Sequence, residues 1–234
     1  MIAKMEMMSQ VLKHPFQIVS AETGLVFANS LQPSEISSDD NPPGWAKRDE
    51  IWTIEELLGL YDSQKRKITI FKKGIEHVAQ QLLVKSFYVE YVVRIHEWGH
   101  AGFHLGVDQN KSAELAKASL NNDKNTERAM CNKLTEIYSS VDSHVHEQIA
   151  QSITWLALEK LRADATIDDV KKACALLLET FNALTLRQPQ RYRLDQLRHL
   201  ERNQLQSRLR ALIKLIRDGG VRGEQETWDT IMPW

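Results

Sequence analysis

The sequence has no long hydrophobic segment and very little cysteine. No stretch approaches the roughly 18 continuous apolar residues that a membrane-spanning helix requires. The two cysteines, Cys131 and Cys174, lie far apart and form no Cys-x-x-Cys pair. A disulfide scaffold is therefore not expected, and a reducing compartment is the simpler interpretation.

The chain also lacks a surplus of charge of either sign. Its 30 Lys and Arg residues balance 31 Asp and Glu residues, which leaves a net charge of −1 and indicates no particular class of partner. The segment from Met1 to Met8 has neither a long apolar core nor a small-residue cleavage site. We therefore expect no signal peptide and a cytoplasmic protein that does not enter a membrane.

One short stretch, His96-Glu97-Trp98-Gly99-His100, has the His-Glu-x-x-His pattern of many zinc enzymes. It follows an apolar run from Phe87 to Ile95, which predicts a helix that is buried nearly all round. On a helix, His96 and His100 lie one turn apart on the same face, where two imidazoles can hold one Zn²⁺. Glu97 then projects beside the metal, where it can take a proton from water.

A catalytic zinc ion takes three protein ligands, so a third must come from elsewhere in the chain. His104 lies one further turn along, but three ligands spaced evenly on a straight helix are too far apart to surround one ion. We expect His104 to be a surface or packing residue. A long helix is predicted over about residues 127–161, and one of its faces begins with Glu147 and continues with small residues. Such a face suits close helix packing, and a carboxylate there needs a positive partner.

These features resemble the zincin metallopeptidases, and within them the gluzincins, whose third zinc ligand is a Glu on a helix downstream of the His pair. The resemblance covers about residues 57–160. It implies that His96, His100 and Glu147 hold Zn²⁺ and that Glu97 is the general base. The small cytoplasmic zincins encoded with bacterial repressors and toxins, the ImmA/IrrE type, are similar more remotely in their short core.

Other sub-classes fit the sequence less well. Metzincins need a Gly and a His where this chain has Phe103 and Gly106, and an aspzincin would use Asp108 without its flanking motif. Peptide deformylases take an upstream Cys, and no Cys precedes Cys131. This chain departs from the gluzincin pattern at Gln151, because gluzincins carry at that position an Asp that orients a zinc-binding His. Gln can accept a hydrogen bond there but brings no charge.

The resemblance implies hydrolysis of a protein or peptide substrate. In that family an antiparallel edge strand beside the zinc helix binds extended substrate, and we assign this role to Ile68–Phe71. The oxyanion needs a donor besides the metal, and the candidates are His144, His146 and Tyr138. We favour His144, because it shares a helix face with Glu147.

The predicted fold class is α+β and predominantly helical, with a zincin-like core, a small antiparallel sheet and C-terminal helices. Residues 1–50 are assigned to an N-terminal arm and linker, residues 51–165 to the metallopeptidase core, and residues 166–234 to a C-terminal helical region packed on the core. Within the arm, residues 14–30 predict a hairpin and residues 31–50 a loop.

The C-terminal region is basic and supports an alternative function. Between residues 187 and 222, ten basic side chains accompany three acidic ones. A basic amphipathic helix there can bind nucleic acid or an acidic protein, although a solvated helix face is the simpler interpretation. The alternatives to a peptidase are a catalytically inert zincin-like regulatory or interaction protein, which docks through this helix, and a zinc hydrolase of a non-peptide amide.

Overall fold

Helices dominate the structure, a computed structural model that describes residues 14–42, 57–194 and 200–219. The predicted class, predominantly helical α+β, is confirmed. In chain order the elements are α1 (Pro15–Thr23), β1 (Ser34–Ser38), β2 (Gly59–Asp62), β3 (Lys67–Phe71), α2 (Lys72–Gln81), α3 (Ser86–Leu105), α4 (Gln109–Leu120), α5 (Lys124–Ser139), α6 (Ser143–Asp164), α7 (Asp168–Leu186) and α8 (Arg202–Arg217). Two short 3₁₀ turns, Asn29–Leu31 and Gln190–Tyr192, complete the set.

The helix α3 lies at the centre of the fold and is buried on nearly every side, as its apolar sequence predicts. It packs most extensively against α6, and also against α1, α2, α5, α7 and the sheet. One hydrophobic core joins side chains of α3 to those of α1, the sheet, α6, α7 and α8. None of the helices in the described ranges is both long and apolar enough to cross a membrane.

The sheet is mixed, with the strand order β1-β3-β2. β2 runs antiparallel to β3, with Gly59 opposite Ile70, whereas β1 runs parallel to β3, with Ser34 opposite Lys67. The prediction of an antiparallel sheet is therefore wrong for one of the two strand pairs. β1 lies within residues 31–50, which were predicted to be a loop. The strand was not predicted because its serines and its acidic residue rarely favour strands.

A helix, α1, occupies the region for which a hairpin was expected. Pro15 stands at the start of the helix, and Gly24 ends it with a left-handed φ of 73°. Proline at the first helical position and glycine just after the last one are helix start and stop signals. The Glu-Thr-Gly segment that resembled a hairpin turn is the end of this helix, so the hairpin prediction is wrong.

The long helix predicted over residues 127–161 is divided into α5 and α6. The buried residue Val141 lies at the break, and its carbonyl oxygen accepts a hydrogen bond from Nε2 of His146 at 2.9 Å. α6 therefore begins afresh at Ser143, and Glu147 lies near its amino end.

Candidate metal centre

The helices α3 and α6 cross at very short range. A Cβ atom added to Gly99 would lie 3.2 Å from Cα and 3.3 Å from the carbonyl oxygen of Ala150, so there is no room for a side chain between the two backbones. This contact uses the small-residue face predicted for α6. Gly99 stands between His96 and His100, and Ala150 follows Glu147 by one turn. The crossing therefore brings the carboxylate of Glu147 to the two imidazoles.

The structure brings the three predicted metal ligands together, and we call His96, His100 and Glu147 the His–Glu cluster. Nε2 of His96 lies 3.2 Å from Oε2 of Glu147 and 3.2 Å from Nε2 of His100. Nε2 of His100 lies 3.6 Å from Oε1 of Glu147. One atom from each side chain falls within 4.8 Å of the other two, in a geometry that can hold a metal ion.

The His–Glu cluster fits a zinc ion in its spacing and in its chemistry. Tetrahedral zinc with bonds of about 2.0–2.1 Å has ligand atoms about 3.3 Å apart, close to the separations observed here. Nδ1 of His100 is buried and has no hydrogen-bond partner among the described residues. A proton on Nδ1 leaves the lone pair of Nε2 free for a metal. Two imidazoles and one carboxylate are also a ligand set of catalytic zinc.

Within the His–Glu cluster, Glu147 and His96 each stabilise the charged form of the other. Burial would raise the pKa of Glu147, but the hydrogen bonds and charges of His100 and His96 outweigh it and hold that pKa well below its usual value. Burial would lower the pKa of His96, yet its bond to Glu147 raises it above 6.5. The side chains of His96 and Glu147 keep 16% and 20% of their exposure, so solvent and ligands can reach the cluster.

Glu97 lies against the strand β2. A Cβ atom added to Gly59 would come within 2.7 Å of Cγ and Oε1 of Glu97, so this position must remain glycine for the carboxylate to stay in place. The main-chain N–H of Tyr61 faces the same carboxylate and favours its charged form. Burial raises the pKa of Glu97, and the nearby His96 and His100 offset this only in part. A raised pKa makes Glu97 a better proton acceptor than an ordinary surface carboxylate.

The edge strand beside the cluster is β2, which corrects the assignment of this role to Ile68–Phe71. Those residues belong to β3, whose two sides are already paired with β1 and β2. The N–H of Phe71 donates to the carbonyl of Leu58, and this fixes which residues of β2 face β3. By the alternation of an antiparallel ladder, the main-chain groups of Gly59 and Tyr61 point away from β3.

Glu35 on β1 binds the side of α3 that carries Arg94 and Trp98, opposite His96 and His100, and was not found from the sequence. Its carboxylate accepts hydrogen bonds from Nε of Arg94 at 2.8 Å and from the indole N–H of Trp98. A second nitrogen of Arg94 lies 2.8 Å from the same carboxylate. Because Glu35 lies in a region expected to be a loop, no local pattern in the sequence connects it with the zinc motif.

The remaining predicted site residues have different positions. His144 lies near the start of α6, one turn before Glu147 and partly buried, and its role as an oxyanion donor stays a prediction. The side-chain amide of Gln151 donates to Gln188, and its buried oxygen accepts no hydrogen bond among the described residues. Gln151 therefore does not orient a zinc histidine in this structure. The ring of Tyr138 packs 4.0 Å from that of His146.

Several of the basic C-terminal side chains bind the protein itself. Arg202 contacts the carboxylate of Glu22, and Arg210 donates to the carbonyl oxygens of Ala21 and Glu22 at the end of α1. Arg217 donates to the carbonyl of Phe103 at 2.8 Å. These arginines stabilise helix ends, which reduces the free basic surface on which nucleic-acid binding would depend.

Comparison with known proteins found no relative. No family model matches the chain, and neither a curated protein nor a solved structure matches it. The residues and the geometry of the site are therefore the basis of the functional proposal.

Proposed function

We propose that this chain is a cytoplasmic zinc-dependent metallopeptidase. The observation that supports it most strongly is the convergence of His96, His100 and Glu147 from two helices on one point, where their ligand atoms lie within 4.8 Å of one another. The neighbouring Glu97 supplies the proton acceptor that hydrolysis requires. Together these four residues resemble the zinc ligands and the general base of a gluzincin.

Each residue of the proposed site has a separate task. A bound Zn²⁺ supplies Lewis-acid chemistry, which polarises a carbonyl and lowers the pKa of water towards about 7. Glu97 accepts a proton from the attacking water while the water oxygen adds to the carbonyl carbon of the substrate. When the carbon–nitrogen bond breaks, Glu97 passes that proton to the leaving amine. Gly59 packs against the carboxylate and the N–H of Tyr61 faces it, and both contacts help to orient it for the two transfers.

An extended peptide is the substrate that the neighbouring strand suits. The outward main-chain groups of β2 stand beside Glu97, and an added strand can pair with such an edge through main-chain hydrogen bonds. Gly59 offers both its N–H and its carbonyl oxygen, whereas Tyr61 offers mainly its carbonyl oxygen, because its N–H faces Glu97. We therefore propose that a protein or peptide segment binds along β2.

The first test is the metal content of the purified full-length chain. We expect one zinc ion per chain, and its loss in the double variant His96→Ala, His100→Ala. A metal-free wild-type protein that also takes up no added zinc would overturn the proposal. A matched control is His77→Ala, which removes an exposed histidine on α2, outside the His–Glu cluster.

The second test separates a peptidase from an inert relative. Glu97→Gln should retain zinc and lower the hydrolysis of fluorescein-labelled denatured casein by about 10²–10⁴-fold, the usual contribution of general acid–base catalysis. Hydrolysis at the wild-type rate would show that Glu97 is not the base. A zinc-loaded wild-type chain that cuts no casein but cuts small acyl amides would favour a non-peptide substrate. Inactivity on both would favour a regulatory or interaction protein.

A further inference from the structure

Tyr61 contacts the helix α3 at two separate points. Its side-chain hydroxyl lies 2.7 Å from Nδ1 of His104, and its main-chain N–H faces the carboxylate of Glu97, against which the nearby Gly59 also packs. Glu97 and His104 are two turns apart on α3 and project from similar faces. One residue of the edge strand therefore spans the part of α3 that carries the zinc motif. We call Tyr61, Glu97 and His104, with these two contacts, the Tyr61 clamp.

The direction of each hydrogen bond in the clamp follows from its far end. The hydroxyl of Thr135 donates to the carbonyl of Cys131 at 3.0 Å, so it has no second proton to give. It must therefore accept the proton of Nε2 of His104, which lies 3.0 Å away. Nδ1 of His104 is then an acceptor, and the hydroxyl of Tyr61 is its donor.

The environment keeps this arrangement in place. His104 is 1% exposed and Tyr61 is 6% exposed, so water does not compete for their hydrogen bonds. Burial lowers the pKa of His104 to about 4, which leaves the ring neutral and its Nδ1 able to accept. The ring of Tyr138 packs 4.7 Å from that of His104 and 6.1 Å from that of Tyr61. Neither Tyr61 nor His104 can turn away without leaving a buried polar group unpaired.

We propose that Tyr61 and His104 are positioning residues, which fix the carboxylate of Glu97 and the outward edge of β2 at one height relative to the His–Glu cluster. This inference rests on the proposed function. If the hydroxyl bond to His104 is lost, β2 can slide or tilt along α3, and neither Gly59 nor the N–H of Tyr61 keeps its place against Glu97. A misplacement of this size affects proton transfer more than metal binding, because the metal ligands lie on α3 and α6.

The test is Tyr61→Phe in the full-length chain, which removes the hydroxyl and keeps the ring and the main-chain N–H. The first readout is hydrogen–deuterium exchange of the amide at position 61, followed by NMR, and it needs no substrate. We expect exchange to become about tenfold or more faster, since the amide N–H separates from Glu97 and meets water more often. Tyr88→Phe, which removes a hydroxyl near the start of α3, should leave this amide unchanged.

A kinetic readout completes the test. With labelled casein, Tyr61→Phe should lower kcat by about 10–100-fold and change KM by less than about twofold, at unchanged zinc content. His104→Asn places an amide oxygen near the position of Nδ1 and should rescue both readouts relative to His104→Leu. Equal exchange at position 61 in the wild type and Tyr61→Phe would overturn the clamp, whatever the activity. If the amide at position 61 exchanges faster in Tyr61→Phe but the wild type cuts no casein, the clamp is supported and the peptidase proposal is overturned.

Discussion

Two carboxylates, the half-buried Glu147 and the buried Glu22, each face nitrogen donors from another helix, and they differ in what those donors can do. Glu22 on α1 is 0% exposed and accepts hydrogen bonds from Arg202 at 2.7 and 2.6 Å and from Gln206 at 2.7 Å. Glu147 on α6 keeps 20% of its exposure and faces two imidazoles. A guanidinium keeps its charge at all ordinary pH values, whereas an imidazole can release a proton and bind a metal.

The difference shows how a fold can use the same charge pairing for two purposes. We call Glu22, Arg202 and Gln206 the α1–α8 clasp, because they join the first and the last of the described helices. Its carboxylate is fully satisfied, although burial still raises the pKa of Glu22 above its usual value. The His–Glu cluster is partly open, and its histidines hold the pKa of Glu147 down. The closed pair thus holds α1 to α8, and the open one leaves its carboxylate and imidazoles accessible to a metal ion.

The largest expected effect separates the two carboxylates by metal binding. Glu147→Gln should weaken zinc binding by more than about 100-fold, because it removes a ligand charge, whereas even outer-shell partners contribute 10–100-fold. Zinc affinity is measured by competition with a coloured chelator. A Glu22→Ala variant that lost zinc equally would contradict the division of roles.

The second effect separates them by stability. Glu22→Ala should lower the free energy of unfolding of the metal-free chain by about 2–3 kcal/mol, because Arg202 loses its partner in a mostly buried position. The value lies below that for a fully buried pair, since 27% of the Arg202 side chain reaches water. Urea unfolding followed by circular dichroism gives the measurement.

Two controls make the stability comparison specific. Lys171→Ala breaks an exposed pair with Asp168 on α7 and should cost less than about 1 kcal/mol. Zinc at 100 times its dissociation constant should stabilise the Glu22→Ala variant by about 2.7 kcal/mol, as it does the wild type. If the same zinc concentration, set at 100 times the dissociation constant of the wild type, stabilised Glu147→Gln by the same amount, the cluster would not be the binding site.

The third effect is the pH dependence of zinc binding. Since Glu147 raises the pKa of His96 above 6.5, this imidazole becomes protonated, and loses its lone pair, at a higher pH than a free histidine. As the pH is lowered, zinc affinity should begin to fall while the pH is still above 6.5, by up to about tenfold per pH unit.

Acidification over the same range should not weaken the α1–α8 clasp. The pKa of Glu22 is raised in the folded chain, so the contribution of this carboxyl group to stability is present at low pH and decreases as the pH rises through the raised pKa. Chelator competition and thermal melting across about pH 5–8 test both statements.

The smallest effect concerns the helix crossing. Gly99→Ala places a methyl group 3.2 Å from the backbone of Ala150, so α3 and α6 must separate slightly. We expect a loss of about 1 kcal/mol in unfolding free energy and up to about tenfold in zinc affinity. Gly102→Ala meets the side chain of Val19 on α1 instead, and should affect stability while leaving zinc affinity unchanged. Equal zinc affinity in both variants would show that the crossing does not set the ligand spacing.

What the sequence predicted well depends on spacing along single helices. The one-turn separation of His96 and His100 and the small face of α6 beside Glu147 are periodic patterns, so they are readable without the fold. The break between α5 and α6 was not anticipated, because helical periodicity continues across a short interruption. The helix α1 had readable signals in Pro15 and Gly24, which were outweighed by its resemblance to a turn.

What the sequence did not predict consists of contacts between distant segments. Glu35 reaches Arg94 and Trp98 from a strand that pairs in parallel with β3, and no local pattern specifies a parallel partner. His104 was expected to be an ordinary packing or surface residue, yet it bonds the hydroxyl of Tyr61. Such pairs become visible only when the chain is folded, since neither member is unusual in its own neighbourhood.

The strand β2 has a further consequence for the behaviour of the protein at high concentration. An unpaired strand edge can recruit a strand of another molecule and so begin aggregation. Here the edge is short, from Gly59 to Asp62, and its row of donors is interrupted because the N–H of Tyr61 faces the carboxylate of Glu97. A short strand and a charged side chain at the edge are both devices that limit open-ended pairing. We therefore expect Glu97, the carboxylate proposed as the proton acceptor, also to limit the addition of further strands to β2.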